Sequence, residues 1–346
     1  MKTAKAAIFR EYRSMRQRAI LLAAFLTAVS LVAVSQAARA EPAGEPAGWA
    51  GDKTVLMTLW RIETEYDTAF KSRLAATGAR VKIVTLSGEG SRDTLATKLR
   101  GLKADITAGK FDAIYSWGTT ATDVVIGLTD NRVPVIFNVV FDPVDSKLVA
   151  SDAVPGGSVT GVSNGVPIED QFDAFSSLFP IQTLCLLFNA REHNANIILD
   201  RVTGWSERHK VHLTALRTAP DTPFLAEHLA RIKSGQIACD AVYAGADSYL
   251  GSKATEIRAA IGDHVKLLAG TERFVSFGWL AAFAPEVEDM GSAAADLMIR
   301  VLSGEKPGTI PVVRPEPKLF ISEDAAARHG VTIPAGAVKK KSDGSS

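Results

Sequence analysis

The feature that most constrains this chain is its punctuation: short apolar runs rich in β-branched residues alternate with longer segments of helical period, and glycine, proline or polar residues mark the joins. The first series reads as strand 54–59, helix 65–77 closed by Gly78, strand 80–86, helix 92–108, strand 113–116, helix 119–128 and strand 134–140. A second series repeats the plan with helix 168–178, strand 183–189, helix 195–208, strand 211–216, helix 222–233, strand 241–244, helix 248–261 and strand 265–269. Between them, residues 155–163 are dense in turn formers and predict a crossing between domains. A later helix over 287–302 and an apolar segment at 318–321 complete the pattern. Strands that alternate with helices predict α/β architecture, here two Rossmann-like lobes with parallel sheets. The expected division is a linker at 41–52, a first lobe of 53–162 plus about 284–304, a second of 163–283 plus about 305–334, and a polar tail at 335–346. Lobes that share C-terminal segments require several chain crossings, hence a multi-crossing hinge beside a cleft.

The N-terminus has the parts of an export signal in order. Lys2, Lys5, Arg10, Arg13, Arg16 and Arg18 face a lone Glu11, residues 19–34 carry no charge, and Ala38-Arg39-Ala40 supplies small residues at an A-x-A site. Cleavage after Ala40 and a periplasmic location are expected. The alternative, an uncleaved anchor, needs a longer apolar run. No cysteine comes after the run, which argues against a lipid anchor. The remaining chain is long enough for two domains at roughly 100–200 residues each. A net charge of +1 offers no electrostatic footprint for nucleic acid or an acidic membrane.

Catalytic and metal motifs are missing from the pattern. Cys185 and Cys239 are too few for a disulfide framework and are expected as buried, unpaired small hydrophobes, with a disulfide between them as the alternative. The histidines lack ligand spacing, so no metal is expected. Neither a G-x-S-x-G elbow nor a P-loop is present, and Ser87-Gly88-Glu89-Gly90 fails the dinucleotide spacing. These readings point away from an enzyme and from any cofactor.

Two segments carry a resemblance. Residues 134–144 (PVIFNVVFDPV) and then 155–163 (PGGSVTGVS) resemble the hallmark segments of the ABC transporter substrate-binding proteins whose better-known members bind aromatic amino acids such as tryptophan. Leu187-Phe188-Asn189, Asp240-Ala241-Val242-Tyr243, Gly304-Glu305-Lys306-Pro307 and Gly330-Val331-Thr332-Ile333-Pro334 extend it in the same order across nearly the whole exported part. The resemblance implies a type I periplasmic-binding-protein fold, two lobes joined by three crossings, and delivery of a small-molecule ligand to a permease in the inner membrane, as a monomer. It also marks departures. Leu59-Trp60-Arg61-Ile62-Glu63 stands where the family often has His-Pro, and Trp117-Gly118-Thr119-Thr120 where it usually has Ala-Thr-Pro, at positions that contact ligand in similar proteins.

In open parallel sheets ligands lie beyond the carboxyl ends of strands, so the candidate site is read from the residues just after each strand. Gly118, Thr119 and Thr120 open a helix whose free N–H groups suit a carboxylate, with an ordinary threonine cap as the bland alternative. Asp142 and Asp247 lie just past strands in the two lobes and can accept from an ammonium or hydroxyl, although an Asx turn and a helix cap would explain them equally well. Trp60 and Arg61 offer a stacking surface and a charged fork. The resemblance favours Asn189 and Gly278. The expected function is therefore binding of a small polar or amino-acid-like ligand for an ABC importer. The alternatives are a periplasmic sensor that docks onto a histidine kinase or chemoreceptor, and an exported α/β enzyme using Asp142 and Asp247 as acid and base.

Overall fold

In a computed structural model the described residues are 51–341, except 79 and 131; the expected export signal at 1–40 and most of the expected linker lie outside them. The first sheet contains β1 (Lys53–Leu59), β2 (Val81–Ser87), β3 (Ala113–Trp117), β4 (Val135–Val140) and β5 (Val159–Ser163) in the order β2-β1-β3-β4-β5. Every pairing in it is parallel. Its central strands are buried on both faces, which is why they read as continuous apolar runs rather than alternating ones. Helices α1 (Glu65–Ala76), α2 (Arg92–Gly101), α3 (Lys103–Thr107) and α4 (Thr119–Thr129) connect these strands.

The second sheet holds β6 (Thr183–Asn189), β7 (His212–Thr218), β8 (Ala241–Ala244), β9 (Lys266–Ala269), β10 (Ala281–Pro285), β11 (Pro317–Ser322) and β12 (Val338–Lys340), in the order β12-β11-β10-β9-β8-β6-β7. Its helices are α5 (Ile168–Ser176), α6 (His193–His209), α7 (Phe224–Lys233), α8 (Ser248–Ser252), α9 (Ala254–Ile261), α10 (Arg273–Ser276) and α12 (Glu323–His329). Helix α11 (Val287–Leu302) leaves this lobe and packs its Met290, Ala294 and Met298 into the core under the first sheet.

Several expectations are corrected. The stretch at 155–163 is not a crossing throughout: its last five residues form edge strand β5, buried along its length, and the chain crosses only after Ser163. Segment 305–314 stays with the first lobe, where Thr160 Oγ1 donates to Ile310 O at 2.8 Å and Val162 bridges Val313, so the return to the second lobe comes just before β11. Because β11 re-enters from the other lobe, it runs antiparallel to β10, making the second sheet mixed rather than wholly parallel. Part of the expected polar tail is β12, whose Lys340 Nζ lies 2.7 Å from Glu272. The helix expected at 248–261 breaks at Lys253 and the one at 92–108 at Leu102. Cys185 and Cys239 are joined in a disulfide with Cα atoms 5.8 Å apart; hydrophobicity alone could not distinguish a bonded pair from two buried thiols.

Candidate functional site

Beyond the carboxyl ends of both sheets the two lobes enclose a cavity of about 250 Å³. Strand β1 ends at Leu59, and the turn after it puts Trp60, Arg61 and Ile62 on the cavity wall. The glycine-rich loop 87–90 fixes that turn: Gly88 N donates to Leu59 O at 2.8 Å, Gly90 N to Trp60 O at 2.7 Å, and Ser87 Oγ to Arg61 O. Gly90 has φ +76°, and a Cβ there would lie 2.6 Å from an Arg61 guanidinium nitrogen. This loop, which fits no nucleotide motif, therefore seats the Arg61 side chain.

Strand β3 delivers Trp117 and then Gly118, whose φ of +89° and ψ of 153° make it the N-cap of α4. The alternative of an ordinary threonine cap does not hold: among the described residues no side chain caps α4, so its first N–H groups stay open. Thr119 and Thr120 are buried and line the cavity beside them. From β4 comes Val139, held at φ +57° by a bulge after Phe137, with its N–H donating to Asn138 Oδ1 at 2.9 Å. A β-branched residue in the left-handed region costs on the order of 1–3 kcal/mol, and here the strain turns a strand residue onto the cavity wall.

A polar chain stiffens the first lobe behind this wall. Asn138 Nδ2 donates to the Tyr115 hydroxyl at 3.1 Å, which donates to Asp67 Oδ1 at 2.8 Å. Asp67 Oδ2 accepts from Thr64 N and Thr64 Oγ1, each at 2.8 Å, closing the N-terminus of α1. Burial pushes the Asp67 carboxyl up to about 6, against the hydrogen bonds from Thr64 and Tyr115 that favour its charge.

The second lobe contributes Glu192, Asn194, Ala246, Asp247, Ser248, Thr271, Arg273, Phe274 and Phe277, among others. Asp247 caps α8 through Leu250 N at 2.9 Å and also accepts from Asn189 N at 2.7 Å. Burial, then the neighbouring Glu192 carboxylate, hold the Asp247 carboxyl well above the usual range. Arg61 reaches over from the first lobe: its Nε donates to Ser248 Oγ at 3.0 Å, and its Nη2 lies 3.9 Å from Glu192 Oε1.

Trp60, Arg61, Gly118, Thr119, Thr120 and Asp247 are thus brought together on one cavity, and three other predicted residues are not. Asp142 accepts from Val144 N and Asp145 N in an Asx turn and pairs with Arg201 of α6, so its carboxylate is engaged away from the lining. Asn189 sits behind the wall, its Nδ2 donating to Glu192 Oε1 at 3.2 Å. Gly278 belongs to the turn after α10, beside Arg258. Sequence reasoning left out Tyr66, Trp117, Ser248, Arg273 and Phe274. Trp117 and Ser248 adjoin residues that were chosen, so adjacency to a strand end was the available signal.

The family of ABC transporter substrate binding proteins matches residues 66–343. The chain belongs to that family. A tyrosine-binding protein of Clostridioides difficile (strain R20291) is 26% identical over 230 residues, which is 65% of this chain and 65% of that protein, so the match spans just under two thirds of the curated relative's length. Among solved structures, an ABC domain in complex with L-Trp from Streptococcus pneumonia aligns at TM-score 0.74 and 22% identity, covering 84% of this chain and 99% of that one. A conserved domain protein from Vibrio cholerae gives 0.74 at 20% identity over 84% and 100%. A ligand-free, open substrate binding protein with adhesive properties from Clostridium difficile gives 0.62 at 18% identity over 84% and 100%. The family is one of binding proteins, and these structures share its two-lobed fold.

Proposed function

We propose that this chain is the extracytoplasmic solute-binding protein of an ABC importer, that it closes its lobes over a small amino-acid-like ligand bearing a carboxylate, and that it passes the ligand to a membrane permease as a freely diffusing monomer. The observation that carries the reading is the cavity between the lobes, where the uncapped N-terminus of α4 with Thr119 and Thr120 faces Arg61 and a set of aromatic side chains. Helix N–H groups and a guanidinium suit an anionic end. Trp60, Trp117, Phe274 and Phe277 suit a flat apolar body. A ligand that touches both walls binds the closed form better than the open one, and that difference in affinity is what drives closure. Membership of the family and the tyrosine-binding relative support the amino-acid-like size.

Native mass spectrometry of protein purified without refolding is expected to reveal a co-purified small molecule with a carboxyl group. The Thr119→Val/Thr120→Val variant should lose it while keeping its fold by circular dichroism. A molecule retained at full occupancy by that variant would refute the site.

A further inference from the structure

The chain first passes from one lobe to the other after Ser163, at the end of β5, and the first lobe holds that passage as far as Gly165. Asn164 N donates to Val140 O at 3.2 Å and Ser163 Oγ to Phe141 O at 3.0 Å, while a Cβ at Gly165 would fall 1.8 Å from Phe141 O, so the passage lies flat on the end of β4. Arg314, on the segment that returns toward β11, fastens the same residues: its Nη1 donates to Ser163 Oγ at 2.8 Å and to Gly165 O at 3.3 Å, and its Nε to Asp152 Oδ2 at 2.6 Å. The second lobe takes hold one residue later, where Val166 O accepts from Gln171 Nε2 of α5 at 2.9 Å. The turn between the lobes therefore falls at Gly165 and Val166, next to Asn164.

Among these bonded groups the Asn164 side chain is the exception. The residue is 3% exposed, and both its Nδ2 and its Oδ1 are buried without a hydrogen-bond partner among the described residues. A side-chain amide offers two donors and two acceptor positions, and all of them are unused here. Asn164 is not on the cavity lining, so a ligand there does not reach it. Burial of an amide that makes no hydrogen bond is a cost borne by the conformation that imposes it. That conformation is the closed one, in which Arg61 crosses the cleft to Ser248 and Arg201 crosses to Asp142 and Asp145.

We propose that Asn164 holds the ligand-free protein open: its amide, orphaned when the lobes close and hydrated when they part, sets a closing penalty that a ligand has to overcome. This rests on the lobe closure put forward above and adds the residue that governs it. A penalty at the joint keeps the closed fraction small without ligand, which lowers apparent affinity by that fraction and makes closure a report of occupancy. An apolar side chain of the same shape at this position carries no such penalty.

Small-angle scattering of the protein, stripped of any bound molecule in urea and refolded, tests this. Asn164→Leu, near in shape to asparagine but with nothing to hydrate, should have a smaller radius of gyration than the parent at unchanged circular dichroism. Fitted as a mixture of open and closed forms, its closed-to-open ratio should rise about tenfold, the factor expected for an orphaned amide. Asn164→Ala removes the same amide without adding volume and should also be more compact than the parent. A radius equal to or larger than the parent's in either folded variant overturns the proposal, because a purely structural asparagine gives that result. Loss of the fold in both variants overturns it as well. Neither outcome bears on the cleft reading, which the co-purified molecule decides separately.

Discussion

Reduction of the Cys185–Cys239 disulfide is expected to lower stability by about 4 kcal/mol. The cross-linked residues are 54 apart in sequence, and the chain-entropy relation gives about 3 kcal/mol for a 15-residue loop and about 4.7 for a 100-residue loop. The bond ties Cys185 within β6 to Cys239, two residues before β8, and the two strands are neighbours in the second sheet, so it constrains the unfolded chain without holding together elements that would otherwise separate. At roughly 2.1 cal/mol/K of unfolding entropy per residue, a chain of about 300 residues shifts by about 1.6 °C per kcal/mol, so the melting point should fall by about 6 °C. Calorimetry of the oxidised protein and of protein reduced under mild denaturant, with both thiols confirmed free by titration, makes the comparison on one sequence. A melting point unchanged to within about 2 °C, with both thiols titrated, would refute the cross-link's role. The double variant Cys185→Ala/Cys239→Ala should fall further than the reduced protein, because Cys185 is fully buried and its sulfur leaves a cavity.

The polar contacts carry two more expected outcomes. The carboxyl of Asp67 sits near 6 in the folded protein against 3.8 ordinarily, so the folded state binds the extra proton. Its contribution is present at low pH and is lost as pH rises through about 6, a change of about 3 kcal/mol at full effect. Tyr115→Phe removes the hydroxyl that favours the charged form, so urea melts should show a larger destabilisation at pH 7 than at pH 4.5; an equal loss at both would rule out this linkage. Arg201→Met deletes the pairs from α6 to Asp142 and Asp145, both partly exposed and together worth about 1 kcal/mol, and should expand the ligand-free protein in small-angle scattering while leaving saturating ligand able to close it. Identical scattering profiles for variant and parent would discount the bridge.

Strand and helix order was legible because a parallel sheet buried on both faces writes each strand as a continuous apolar run. Elements without that signature were missed: β5 is built from glycine, serine and threonine as well as valine, and β12 is Val338-Lys339-Lys340, an edge with little to bury. Strand β10 was missed as well although it is buried, because its Ala-Ala-Phe-Ala-Pro run is poor in β-branched residues and ends in proline. The site was legible to the extent that it lies at strand ends. Thr119, Thr120, Trp60 and Asp247 could be named from position alone. Position does not reveal where a carboxylate points. Asp142 and Asp247 come after their strands equivalently, yet a proline-fixed Asx turn delivers the first to Arg201 while the second turns inward to cap α8. Arg61 was named for its charge, but its reach to Ser248 depends on a glycine loop some thirty residues along.

The contacts that join the lobes divide by whether a ligand would disturb them. Arg61 and Arg273 line the cavity and also meet groups of the opposite lobe, Ser248 with Glu192 for the first and Glu65 for the second. An anion entering the cavity competes for both, so part of its attraction replaces contacts the closed protein already has. Arg201 is different: it pairs with Asp142 and Asp145 outside the cavity and stacks over Phe141 at 5.4 Å, and a ligand need not touch any of them. Its bridge adds to the closed form with or without ligand. It therefore changes apparent affinity only through the fraction of protein already closed, whereas substitutions at Arg61 change the intrinsic affinity as well. The two arginines are separable for that reason: loss of Arg201 should weaken every cleft ligand by the same factor, and loss of Arg61 should weaken most the ligands whose carboxylate it meets.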